Sequence, residues 1–153
     1  MLNNHWSVEG RLSRIKSDGY IDRGSSDLKS YYVSGGYLSK NTLVRLNIFS
    51  GHEITYQSWY GVPEVKLNND SIGIANFISN NYLDEQDAAN LLNSGRSYNF
   101  YTYDKQVDDY KQDHYQLLFA QQISTSLTFN FASHFTKGKG FYEEYKKQQY
   151  FSD

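Results

Sequence analysis

The sequence predicts an all-β chain. It reads as an antiparallel up-and-down meander of about five strands, part of a transmembrane β-barrel wall, with one long extracellular loop carrying a short helix. Three observations predict it: two-residue alternation of apolar and polar side chains, runs of strand-like sequence long enough to cross a bilayer, and an unusual load of aromatics. Side chains on a strand point to opposite sides with period two, so an alternating run has one apolar and one polar face. A tilted strand needs about 9–11 residues to cross a membrane, whereas strands of soluble sheets are usually nearer 5–6.

The clearest instance is the hairpin from Lys29 to Gly51. In its first arm Tyr31, Val33, Gly35 and Tyr37 share a face, opposite Tyr32, Ser34 and Gly36. The break Ser39-Lys40-Asn41 follows, and then Val44, Leu46 and Ile48 alternate with Arg45, Asn47 and Phe49. Before the hairpin, His5–Ile15 forms a first strand, with Trp6, Val8, Gly10 and Leu12 on the apolar side and Ser7, Glu9, Arg11 and Ser13 on the other. Lys16–Asp27 is rich in Gly, Ser and Asp and reads as a connecting loop.

From His52 to Lys111 the alternation breaks down, and this span is expected to be the long loop. A loop of that length is unusual in a compact soluble domain and ordinary on the outer side of a barrel. Within it, Asp84–Asn93 reads as a helix: Asp84 supplies a cap, Asp87 follows three residues on, and Gly95 is a plausible stop. Leu91 and Leu92 would brace it.

Alternation resumes at Asp113. Tyr115, Leu117, Phe119 and Ile123 face outward, with His114, Gln116, Ala120 and Gln122 inward. After the turn Ser124-Thr125-Ser126, the run to Thr136 sets Leu127, Phe129, Phe131 and Phe135 against Thr128, Asn130, Ala132, His134 and Thr136. The sequence then becomes polar and glycine-interrupted. Five runs cannot close a barrel, for which about eight strands are the practical minimum, so a wall segment is expected.

Composition narrows the function classes. Fifteen Lys and Arg stand against seventeen Asp and Glu among 153 residues, a net charge of -2 without a basic run, which argues against a nucleic-acid partner. No cysteine is present, so there is no disulfide framework and no thiolate metal site. Fifteen Tyr, nine Phe and two Trp sit in a chain whose mean hydropathy is -0.72. That pairing suits a wet lumen with aromatic girdles at the two interfaces, and it also suits a carbohydrate-binding sandwich.

Candidate sites are few. Tyr56, Trp59 and Tyr60, ahead of Gly61-Val62-Pro63, are the residues expected to bind ligand by stacking on a siderophore or a sugar; the alternative is that they pack the loop. His114 and His134 fall on lumen-facing positions of neighbouring strands. A metal site there would need the two close together with a further ligand, so ordinary polar lumen residues are the expectation, and His52-Glu53 is read in the same way. Asp104, Asp108, Asp109 and Asp113 lack the glycine and spacing of a calcium loop. No nucleophile elbow, phosphate-binding loop or carboxylate pair stands out. The expectation is therefore no enzyme, no cofactor and no resident metal.

Several stretches, taken in order, carry a resemblance: LNNHWSVEGRLSRIKSDGYIDRGSSDLKSYYVSGGY, FSGHEITYQSWYGVPE, RSYNFYTYDKQVDDYKQDHYQL and FTKGKGFYEEYK. They resemble the mid-barrel region of TonB-dependent outer-membrane receptors over nearly the whole chain, 1–153, least over Leu67–Leu92. The resemblance implies a barrel of roughly 22 strands around a plugged lumen, in the outer membrane of a Gram-negative bacterium. It implies import of a scarce nutrient such as a ferric siderophore or another iron or metal complex. Its implied partners are outer-membrane lipid, the protein's own plug domain and remaining strands, the TonB complex and a small-molecule ligand. The chain carries no plug and no TonB box, and its end, Phe151-Ser152-Asp153, is no closing strand with a terminal aromatic. A secreted or surface carbohydrate-binding β-domain and a general porin fragment are the rival readings.

Overall fold

In the computed structural model residues 4–147 are described; the chain's end at Phe151–Asp153 lies outside them. Five strands form one open antiparallel sheet in sequence order, with β1 and β5 at its edges. They are β1 (Trp6–Ser17), β2 (Ser26–Leu38), β3 (Thr42–Tyr56), β4 (Val107–Gln122) and β5 (Thr128–Tyr142). Three helices lie between β3 and β4: α1 (Glu64–Leu67), α2 (Ser71–Asn80) and α3 (Glu85–Asn93). Among the described residues no helix is long and apolar enough to cross a membrane.

The strands run past the expected limits. Pairing of β1 with β2 continues beyond Ile15, so the loop between them shortens from Lys16–Asp27 to the positions between Ser17 and Ser26. Arg14 grips Asp27 there in two bonds, Nε to Oδ1 at 3.1 Å and a second guanidinium N–H to Oδ2 at 2.9 Å. The long connection likewise begins after Tyr56 and ends before Val107, not at 52 and 111. It holds three helices rather than one.

Two of those helices escape pattern reading. Pro63 starts α1 with its fixed φ of -56°. In α2, Asp70 caps the first turn by accepting from the Gly73 N–H at 2.9 Å. A Cβ on Gly73 would lie 2.7 Å from Val65 Cγ1, so glycine permits the close approach of α1 and α2. The expected helix is α3, capped by Asp84 through the Asp87 N–H at 2.9 Å. It ends at an extended Ser94, before Gly95. Leu91 is fully buried and braces it, while Leu92 is exposed.

The chain divides into two compact units. The first (4–15, 27–53 and 109–141) holds most of the sheet. Its two faces are distinct. On one, Trp6 packs on Tyr37 (ring centroids 5.0 Å apart), Tyr115 on Phe135 (6.1 Å) and Phe119 on Phe129 (6.2 Å). On the other, Asn47 Oδ1 accepts from Ser34 Oγ at 2.7 Å and Tyr32 Oη at 3.1 Å, and Asn47 Nδ2 donates to Gln116 at 3.2 Å. The second unit (16–26, 54–108 and 142–147) holds the helices and a small core of Tyr56, Leu91, Tyr98 and Tyr101.

Candidate ligand-binding cleft

The second unit is organised by buried amides. Gln106 is 1 % exposed and Gln57 2 %. The Gln57 N–H donates to the Gln106 carbonyl at 2.9 Å, and Gln106 Nε2 donates to Gln57 Oε1 at 3.1 Å. Gln106 Oε1 in turn accepts from the Tyr145 N–H at 3.1 Å. Asn99 Nδ2 reaches the carbonyls of Asp22 (2.9 Å) and Gln57 (3.1 Å), while its Oδ1 accepts from the Tyr101 N–H. Arg23, in the left-handed region at φ 65°, directs its guanidinium to the carbonyls of Tyr101 (2.9 Å) and Asn99 (3.2 Å). An unpaired buried polar group costs about 1–3 kcal/mol, so this network holds residues 99–106 in one conformation.

Those residues wall a cleft of about 750 Å³, within the range of small-molecule sites. Its aromatic lining includes Tyr60, Phe77, Tyr98, Phe100, Tyr101, Tyr103 and Tyr145, and Asp87, Glu144, Lys146 and Lys147 supply its charges. Tyr60 meets Phe100 edge-on at 5.0 Å and Tyr101 at 5.5 Å. Burial pushes the Tyr101 phenol up to about 12, helped by Tyr60 and Glu144. The Tyr103 phenol is raised by its 2.7 Å bond to Glu143, and that of Tyr98 by burial. Lys147 spans Asp84 (2.8 Å) and Asp87 (2.9 Å), which raise its pKa, and the ammonium lowers that of Asp84. Aromatic rings beside a few charged side chains can stack on a sugar or a planar aromatic ligand and orient its polar groups.

The three residues singled out from sequence separate. Tyr60 is exposed and lines the cleft. Trp59 packs edge-on against Tyr101 at 6.3 Å, and most of its ring remains exposed. Tyr56 is not on a loop: it ends β3, is buried, and donates its hydroxyl to the Tyr103 carbonyl at 2.7 Å. Sequence reasoning missed Phe100, Tyr101 and the amides beneath them, although the aromatic density of 98–103 was visible. The other histidines take partners on the sheet, His52 with Asp109 at 2.9 Å and His114 with His134 at 3.2 Å. Asp113 accepts from Ser50 at 2.5 Å.

Compared with known proteins, the chain matches no family model, no curated protein and no solved structure.

Proposed function

We propose that this chain is part of the barrel wall of a TonB-dependent receptor in a Gram-negative outer membrane, importing a scarce nutrient such as a ferric siderophore. One observation carries the reading. Among the described residues of the first unit, the buried ones are Ser34, Asn47 and Ser50, all polar. On every strand large apolar side chains of the opposite face stay exposed, among them Leu12, Val33, Leu46, Leu117 and Phe135. Apolar area left in water forgoes about 25 cal/mol per Å²; lipid removes that cost, and a hydrated lumen suits the polar face. Strands of 12 to 16 residues are long enough to span a bilayer and project beyond it. Further barrel strands, a plug and the TonB complex are the partners of this reading.

In it, the segment between β3 and β4 is the outer loop, and the cleft is where ligand first meets protein. Tyr60, Phe100 and Tyr101 are the stacking faces. A surface carbohydrate-binding domain is the second reading, favoured by the same aromatic lining. Titration of the detergent-folded chain with a ferric siderophore and with oligosaccharides, followed by quenching of aromatic fluorescence, tests both. Siderophore binding weakened about two- to twelvefold by Tyr60→Ala, as expected from the roughly 0.5–1.5 kcal/mol of an aromatic pair, supports the receptor. Oligosaccharide binding by a chain that stays monomeric without detergent supports the alternative, and a detergent-free monomer binding neither ligand overturns both.

A further inference from the structure

We infer that His114, His134 and Thr136 form a binding site for a divalent transition-metal ion on the polar face of the β4–β5 pair. The inference rests on the sheet alone and is independent of the transport reading. His114 Nδ1 lies 3.2 Å from His134 Nε2 and 3.1 Å from Thr136 Oγ1, and Thr136 Oγ1 lies 2.9 Å from His134 Nε2. Three donor atoms thus make a nearly equilateral triangle.

The dimensions are those of one face of a coordination shell. Imidazole nitrogens bind zinc at about 2.0–2.1 Å. Two of them on one ion stand about 3.3 Å apart at the tetrahedral angle and about 2.9 Å apart at a right angle, by the same bond length. The observed 3.2 Å falls between. An ion at that bond length from all three atoms would sit about 1 Å out of their plane, on the side from which water can complete the shell.

The rings are held for the purpose. Phe49, on β3, stacks on His114 with centroids 4.5 Å apart and planes within 15°. His134 meets His114 edge to edge, nitrogen toward nitrogen, with centroids 5.5 Å apart and planes within 28°. His134 and Thr136, two residues apart, share one face of β5, and sites built on strands hold their ligands more precisely than sites on loops. Among the described residues no cluster of three or more His, Asp or Glu side chains is placed to hold a metal. The shell is therefore two imidazoles, a hydroxyl and water, which suits copper(II), zinc(II) and nickel(II) and selects against calcium or magnesium, whose ligands are oxygen. Copper(II) should bind most tightly.

Copper(II) and zinc(II) titrations of the full chain folded in detergent test the site. The expected result is one ion per chain, with affinity reduced about tenfold or more by His114→Asn or His134→Gln and by a smaller factor in Thr136→Val. His5→Asn and His52→Asn should leave affinity unchanged. The electron paramagnetic resonance spectrum of the copper-loaded unmodified chain should show two equatorial nitrogens, a readout that needs no variant to fold. Absence of stoichiometric binding, a spectrum with fewer than two nitrogens, or affinity indifferent to both histidine changes would overturn the assignment.

Discussion

Gln57 and Gln106 hold each other twice, by a backbone bond of 2.9 Å and a side-chain bond of 3.1 Å, although 49 residues separate them. Each is almost wholly buried. The pair ties the start of the long connection to its end, and the aromatic lining of the cleft grows from that tie.

Truncating one partner should cost more than the hydrogen bonds themselves. Gln106→Ala strands Gln57 Oε1 and the Tyr145 N–H, and each buried orphan costs about 1–3 kcal/mol. Urea unfolding of the detergent-folded chain should show a loss of that order. Gln106→Glu, which keeps an acceptor for Tyr145 but loses the donor to Gln57, should destabilise as well. Full stability in either variant would mean that water replaces the amide.

A second relationship explains why β5 continues where its sequence turns polar. Tyr110 on β4 occupies the space beside Gly138 and Gly140, so that a Cβ on Gly140 would lie 2.7 Å from the ring and 2.5 Å from the Asp109 carbonyl. At Gly138 it would meet only the phenol end, with the hydroxyl oxygen at 2.5 Å. Gly140→Ala forces backbone to move and should cost about 1–3 kcal/mol, the usual penalty of overpacking. Gly138→Ala should cost less, because a flexible side chain can yield. Gly35, with nothing within 4 Å, should accept alanine within about 0.5 kcal/mol. Unfolding midpoints of the three variants, measured together, check the ranking.

The hairpin of β2 and β3 was legible because its arms alternate cleanly on either side of Ser39-Lys40-Asn41. Helix α3 was legible because Asp84 and Asp87 mark its start. By contrast α2 carries Ile72, Gly73, Ile74 and Ile78, residues with lower helix propensity than alanine or leucine, and its cap at Asp70 has no distinctive neighbour. The amides of the cleft were illegible for another reason: Gln57, Asn99 and Gln106 become informative only once the fold brings them together. Parity placed His114 and His134 on one face, but their separation depends on the β4–β5 register, which the Ile123 N–H bond to the Leu127 carbonyl helps to fix.

Anchoring of α3 should depend on pH in a defined sense. The Lys147 ammonium, followed by the Asp87 N–H, lowers the pKa of Asp84. A depressed carboxyl contributes its full stabilisation above the ordinary value, about pH 4, and loses it as pH falls through the lowered one. Lys147 is raised by Asp84 and Asp87. Its contribution is whole below the ordinary value, about pH 10, and disappears as pH rises through the raised one. The protection that this bridge gives the α3 amides against hydrogen exchange, corrected for intrinsic rates, should therefore be full and independent of pH between those limits and should fall below the lower one. Lys147→Met should lower protection throughout the plateau and reduce the acid step to what the Asp84 cap on the Asp87 N–H contributes. An acid step of undiminished size in Lys147→Met would show that the bridge does not contribute to it.

The outward face gives the sharpest test of a lipid environment. Leu46 lies on β3 between Val44 and Ile48 on that face, and it is half exposed. In water an arginine there should change stability by no more than about 0.5 kcal/mol, as surface substitutions usually do. In a bilayer the same change should cost about 2–4 kcal/mol near the midplane. Asn130 on β5 supplies the control: it too is exposed but lies on the polar face, so Asn130→Arg should be tolerated in both media. Folding into lipid vesicles against urea, measured for both variants, separates the cases. A Leu46→Arg chain that folds into vesicles as readily as Asn130→Arg would show that the apolar face does not meet lipid, and would leave the cleft to a protein that works in water.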